Sequence, residues 1–154
     1  MDFGYVLIFI NPYGCDLFMG TRSVTTIEAP TGTGTAPLLK IYTQYDGYVE
    51  GGLGDELIDF LRGRRVVDGY TMQDKEDRAF NGLGCLAASI VAHLKDGIGN
   101  VYIQALDDDY EGSYNYFISE DDGRIFIRMV GHGRVLYNGA VDDFTLDQIA
   151  GDED

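Results

Sequence analysis

The 154-residue chain holds two histidines, two cysteines and several aspartate runs, the side chains with the chemistry for catalysis or metal binding. His132 stands between Gly131 and Gly133, a turn position from which a general base could act. No serine or cysteine nucleophile is placed beside it by spacing. His93 adjoins the apolar stripe of a helix and reads as a rim or core residue. Cys85 lies near the start of that helix, where a thiolate could be stabilised; a small buried thiol is the simpler reading. Cys15 and Cys85 are too few for a disulfide framework, and neither has a partner at metal-ligand spacing. Asp107-Asp108-Asp109-Tyr110-Glu111-Gly112 has the composition of a calcium loop. Position twelve, counted from Asp107, is Ile118 in a strand, not the bidentate glutamate such a loop needs. A solvated loop is expected there, and Asp121-Asp122 and Asp142-Asp143 read as turn and cap residues. Gly82-Leu83-Gly84-Cys85-Leu86-Ala87 fits the GxGxxA form of the dinucleotide fingerprint, but a polar segment precedes it where that motif needs a strand. Arg62, Arg64 and Arg65 form the cationic cluster of the chain. They could hold a phosphate or carboxylate, and complementing the negative end of a helix accounts for them without a ligand. These residues assemble no catalytic constellation, metal site or cofactor site.

The segment richest in recognition chemistry is Tyr42-Thr43-Gln44-Tyr45-Asp46-Gly47-Tyr48-Val49-Glu50-Gly51-Gly52. Its tyrosines gather around a glycine turn ahead of a helix, and tyrosine offers contact area at low entropic cost. The candidate binding residues are Gln44, Tyr45, Asp46 and Tyr48, with Arg22 from the Met19–Ser23 segment that precedes the Val24–Glu28 strand. Two readings stand side by side: a recognition surface, or aromatic staples that fix the strand-to-helix crossing.

The elements that position these residues follow from periodicity. Tyr5–Ile10 reads as a short strand closed by Asn11, Pro12 and Gly14. Val24–Glu28 and the alternating Leu38–Tyr45 form a hairpin around a loop from Pro30 to Pro37. A helix opens after Gly51–Gly54, with Leu57, Ile58, Phe60 and Leu61 on one face and Gly63 as its stop. A second helix spans about Asn81 to Lys95, with Leu83, Leu86, Ala87, Ile90, Val91 and Leu94 as its stripe. Val101–Ala105, Ser113–Ser119, Arg124–Val130 and Arg134–Asn138 read as a four-strand meander, with a tight turn at Asp121-Asp122-Gly123. A short terminal helix is expected near Asp143, Thr145 and Gln148 resembling a capping box. The sum is an α+β fold, an antiparallel sheet with two main helices packed on one face. Residues 19–154 read as one domain and residues 1–18 as an extension that could supply an extra edge strand.

The net charge of −15 comes from 26 acidic against 11 basic residues, and only Lys40, Lys75 and Lys95 are lysines. Excess aspartate with scarce lysine suits a protein hydrated at high salt, where self-repulsion is screened. The same field opposes binding of nucleic acid through a broad basic face. No run approaches the roughly 20 apolar residues of a membrane-spanning helix. Asp2, not a cation, precedes the first apolar run, which argues against a secretory signal, so a cytoplasmic location is expected.

Met19-Gly20-Thr21-Arg22-Ser23, Ile41-Tyr42-Thr43-Gln44-Tyr45-Asp46-Gly47-Tyr48 and the helix start at Gly54-x-Glu56-Leu57 resemble a family of small uncharacterised viral and prokaryotic proteins. Those begin MGTRS and carry a Tyr-x-Gln-Tyr/Trp-Asp-Gly-Tyr segment. The resemblance covers about residues 19–140 and implies no activity. It implies a location in host cytoplasm or a virion, and it leaves residues 1–18 as an addition before the usual start. The functional expectation is a non-enzymatic interaction or assembly protein, viral accessory or virion-associated, with a protein partner or self-association through the N-terminal strand. A small-ligand binder or enzyme with its site around Tyr42–Tyr48, and an acidic nucleic-acid mimic, are the alternatives.

Overall fold

A computed structural model of the protein describes residues 20–149. The expected strand at Tyr5–Ile10, the turn after it and the tail 151–154 lie outside the described residues. The chain runs β1 (Ser23–Pro30), β2 (Thr35–Thr43), α1 (Leu53–Leu61), β3 (Val66–Val67), α2 (Met72–Glu76), β4 (Phe80–Asn81), α3 (Gly82–Leu94), β5 (Val101–Gln104), β6 (Tyr114–Asp121), β7 (Arg124–Gly131) and β8 (Arg134–Ala140). Six strands make one sheet in the order β5-β2-β1-β6-β7-β8, and β3 pairs with β4 in a separate two-stranded ladder. The main sheet is mostly antiparallel, so the α+β class holds. One pair departs from the expected pattern, because β1 and β6 run parallel in the sheet's centre, Thr25 opposite Tyr116 and Ile27 opposite Ile118.

The expected four-strand meander is therefore three strands. β5 pairs with β2 on the far edge, Ile41 opposite Ile103, and not with β6. The reason lies in β1, whose alternating Ser23, Thr25 and Ile27 are fully buried, as central-strand residues are when both flanks pair. The hairpin between β1 and β2 is also tighter than the sequence suggested. Pro30 pairs with Thr35 and Glu28 with Pro37, so the loop shrinks to residues 31–34, and a bulge beside Leu38 absorbs the register shift.

Both main helices cover one face of the sheet. Leu57, Ile58 and Leu61 of α1 and Leu86, Ala87 and Ile90 of α3 share one core with Ile27, Ile41, Tyr116, Ile118, Ile127 and Met129. Full burial of each such aliphatic side chain stabilises by about 1.5–3 kcal/mol. On the opposite face, the connection 105–113 crosses back over β2. Lys40 Nζ donates to the Asp108 carbonyl at 2.7 Å, and Gln104 Nε2 donates to the carbonyls of Asp108 and Tyr110 at 3.2 Å each.

Asp122 (φ 50°) and Gly123 (φ 83°) form the turn between β6 and β7, and His132 (φ 51°) with Gly133 (φ 80°) repeats it between β7 and β8. Two successive left-handed residues match the twist of the flanking strands. The terminal helix resolves into two 3-10 turns, Val141–Asp143 and Leu146–Ile149. The Thr145 backbone N–H donates to Gln148 Oε1 at 2.8 Å, half of the expected capping box. No described helix is long and apolar enough to cross a membrane.

Candidate functional site

The tyrosine turn is held from three sides. The Gln44 N–H donates to the Asn100 carbonyl at 2.8 Å and the Tyr45 N–H to Asn100 Oδ1 at 2.9 Å. The Gly47 N–H donates to the Thr21 carbonyl at 2.8 Å, while the Gly47 carbonyl accepts the buried Tyr116 hydroxyl at 2.7 Å. Asp46 sits at φ 60°, a left-handed conformation that aspartate tolerates better than most residues. Its carbonyl accepts from the Leu53 N–H at 2.8 Å and that of Tyr48 from the Gly54 N–H at 3.2 Å, so the turn itself satisfies the first donors of α1. The Tyr48 hydroxyl donates to Asp46 Oδ1 at 3.2 Å. The Asp46 charge beside it raises the Tyr48 pKa above the ordinary tyrosine value. These bonds support the staple reading for the backbone, yet Tyr45 and Tyr48 remain 41% and 36% exposed.

Two concavities flank β2 and β5, one on each side of the sheet. On the helix side, a pocket of about 160 Å³ is lined by Thr43, Tyr45, Asp46, Gly51, Gly52, Leu53, Glu56, Leu94, Asn100 and Val101. On the other side, an open concavity of about 460 Å³ is lined by Arg22, Tyr42, Tyr102, Ile103, Gln104, Asp108 and Tyr110. There Tyr42 lies 6.0 Å from Tyr102 and 5.8 Å from Tyr110 between ring centroids, tilted and edge-on. Burial raises the Tyr42 pKa, and the Arg22 charge opposes that rise.

The sequence candidates thus divide. Tyr45 and Asp46 line the helix-side pocket, Arg22 belongs to the opposite concavity, and Gln44 and Tyr48 line neither, although the Tyr48 hydroxyl bonds Asp46. Residues that sequence reasoning missed complete both: Thr43, Glu56 and Asn100 on one side, Tyr102, Gln104 and Tyr110 on the other. The alternation of Tyr102 and Gln104 in their strand was the signal for the second set; nothing local marked Asn100 or Glu56.

The remaining candidates resolve into structural roles. His132 packs edge-on against Tyr114, centroids 5.2 Å apart. His93 stacks on Phe60 at 4.1 Å, with its Nε2 3.5 Å from Glu56 Oε2. Cys85 is exposed, not the buried thiol expected, because α3 turns its buried stripe of Leu86, Ala87 and Ile90 to the sheet and leaves Cys85 off that stripe. Arg62 donates to the Phe144 carbonyl at 3.0 Å, Arg64 lies 4.3 Å over the Phe60 ring, and Arg65 pairs with Asp74 and Asp77. The arginine cluster is therefore spread over three separate sets of partners. A strand, β4, does precede the GxGxxA segment, but it is two residues long and pairs only with β3, outside the main sheet. Among the described residues no group of three or more His, Cys, Asp or Glu is placed to hold a metal ion.

The fold defines a class, an α+β protein whose six-stranded, mostly antiparallel sheet carries its helices on one face. No family model matches the chain, and no match is found among curated proteins or solved structures.

Proposed function

We propose that the protein is a non-enzymatic interaction module that takes a basic segment of a partner protein into the tyrosine concavity. The observation that carries this reading is the trio Tyr42, Tyr102 and Tyr110, gathered from β2, β5 and the 105–113 connection around one open concavity. Tyr102 is 48% and Ile103 60% exposed at the sheet's edge, amphipathic area of the kind that dominates interface energetics. Asp107, Asp108, Asp109 and Glu111 are exposed on the adjoining connection, four acids against Arg22 in the lining and Lys40 and Lys95 beside it. Tyrosine faces and carboxylates together favour an arginine or lysine side chain, through cation–π and charge attraction. Lys95 already shows the geometry within the chain, its Nζ 5.7 Å from the Tyr102 ring centroid.

The test is a titration with an arginine- and lysine-rich peptide and with its Asp/Glu counterpart, followed by tyrosine fluorescence. Saturable binding of the basic peptide is expected, weakened about tenfold or more by Tyr102→Ala or Tyr110→Ala, as truncating an interface anchor does. Undiminished binding by both variants, or equal binding of the acidic peptide, refutes the reading. The assembly role of residues 1–18 lies outside the described residues and has its own readout: deleting them should lower the mass seen by light scattering.

A further inference from the structure

The tyrosine concavity reaches the edge of the sheet, where β5 is the last strand and Ile103 joins Tyr102 and Gln104 in the lining. Building on the basic-segment reading above, we infer that the partner's segment binds as an added strand, paired antiparallel to Ile103 of β5. Hydrogen bonding fixes which backbone groups of β5 face outward. The Gln44 N–H donates to the Asn100 carbonyl at 2.8 Å, and Tyr42 stands opposite Tyr102 two residues further on. Bonded pairs alternate in an antiparallel ladder, so Tyr42/Tyr102 and Lys40/Gln104 exchange bonds, whereas Val101 and Ile103 turn their N–H and C=O away from β2. At Val101 both groups are taken within the chain, the N–H by the Gly99 carbonyl at 2.8 Å and the carbonyl by Lys95 Nζ at 3.1 Å. At Ile103 neither group has a partner among the described residues, and the residue is 60% exposed.

The same arrangement selects what the added strand carries. Lys95 closes the Val101 end of the edge, whereas the exposed Asp107, Asp108, Asp109 and Glu111 follow its Ala105 end. A cationic segment is therefore drawn to the stretch from Ile103 to Ala105 and away from Val101. Antiparallel pairing lets one partner residue both give to and take from Ile103. Residues directly opposite in such a pair share a face, so that residue lies beside the exposed Ile103 side chain, and its two neighbours point to the Tyr102 face. The fitting segment alternates apolar and cationic residues, the apolar one bonding Ile103 and the cations meeting the tyrosine ring and the carboxylates. The far edge, β8, is guarded instead: its register shifts beside Val130, and the Tyr137 hydroxyl takes the Ala140 carbonyl at 2.7 Å.

The probe is a short peptide alternating valine with lysine or arginine, added to the isotope-labelled full chain while amide hydrogen exchange is followed by NMR. Exchange at Ile103 should slow about tenfold or more at saturation, with the amides of β7 unchanged. N-methylation of the peptide's valine amides should weaken binding about fivefold or more, the effect of losing a backbone hydrogen bond. N-methylation of its cationic residues should leave the affinity unchanged, because their amides point away from β5. Saturable binding with an Ile103 amide that still exchanges freely, or a loss from the cationic set as large as from the valine set, overturns the added strand and leaves the basic-segment reading standing. No saturable binding of the basic peptide refutes that reading and the added strand with it. An Ile103 amide protected in the free protein and exposed by deleting residues 1–18 gives the edge to the chain's own N-terminal segment, which overturns the assignment as well.

Discussion

Gly47 shows how one residue's missing side chain fixes the turn that borders the helix-side pocket. A Cβ there would stand 2.7 Å from Ser23 Cβ and 2.8 Å from the Thr21 carbonyl oxygen, and the second contact is backbone that cannot swing aside. Gly47→Ala should therefore destabilise by about 1–3 kcal/mol, the usual range for overpacking, read as a lower urea midpoint at unchanged slope. Gly84 is the contrasting case. Nothing lies within 4 Å of its added Cβ, and it sits in the first turn of α3. Gly84→Ala should stabilise by about 0.5–1 kcal/mol in the same measurement, because alanine loses less backbone entropy in a helix. An unchanged midpoint in the Gly47→Ala protein, or a lowered one in the Gly84→Ala protein, would contradict the packing described.

At the scale of elements, α2 is the segment whose ionisation is most visible. Its capping box joins Thr71 and Asp74: the Thr71 N–H donates to Asp74 Oδ2 at 2.9 Å, and the Asp74 N–H donates to Thr71 Oγ1 at 3.1 Å. The Thr71 backbone bond, then the Arg65 guanidinium, hold the Asp74 carboxyl below the usual aspartate range. A folded-state pKa below the unfolded value of about 3.9 means the carboxylate stabilises the fold at neutral pH. That contribution is complete above about pH 5 and is lost as the pH falls through about 4 toward the lowered value. Hydrogen exchange at Thr71 and Asp74 should accelerate in that window relative to amides of the core strands. Asp74→Asn should remove the acid-dependent part of the change. Identical pH profiles for the two proteins would show that α2 is held by something other than this box.

For the whole molecule, charge is the dominant global term. A net −15 on 154 residues repels itself in the compact state, and the Debye length falls from about 10 Å at 0.1 M salt to about 3 Å at 1 M. The melting temperature should rise steadily between those concentrations of sodium chloride. A flat or falling curve would mean that the ion pairs of Arg65 and Arg124 outweigh the repulsion. The two concavities also belong to this scale, since each draws on segments far apart in sequence. Thr43, Glu56 and Asn100 come together on one side of the sheet, and Tyr42, Tyr102 and Tyr110 on the other.

Local chemistry alone determined the α+β class, the stripe of α3 through Leu86, Ala87 and Ile90, and the turns at Asp122-Gly123 and His132-Gly133. Each of these is written within a few adjacent residues as period, cap or left-handed glycine. It also singled out Tyr45 and Asp46, because aromatic and turn residues clustered there. Only the tertiary structure decided that Val101–Gln104 joins β2 instead of Tyr114–Asp121, that β1 and β6 run parallel, and that Arg22 and Asp46 end on opposite sides of the sheet. Strand pairing is chosen by burial summed over the entire sheet, and no stretch of sequence carries that sum.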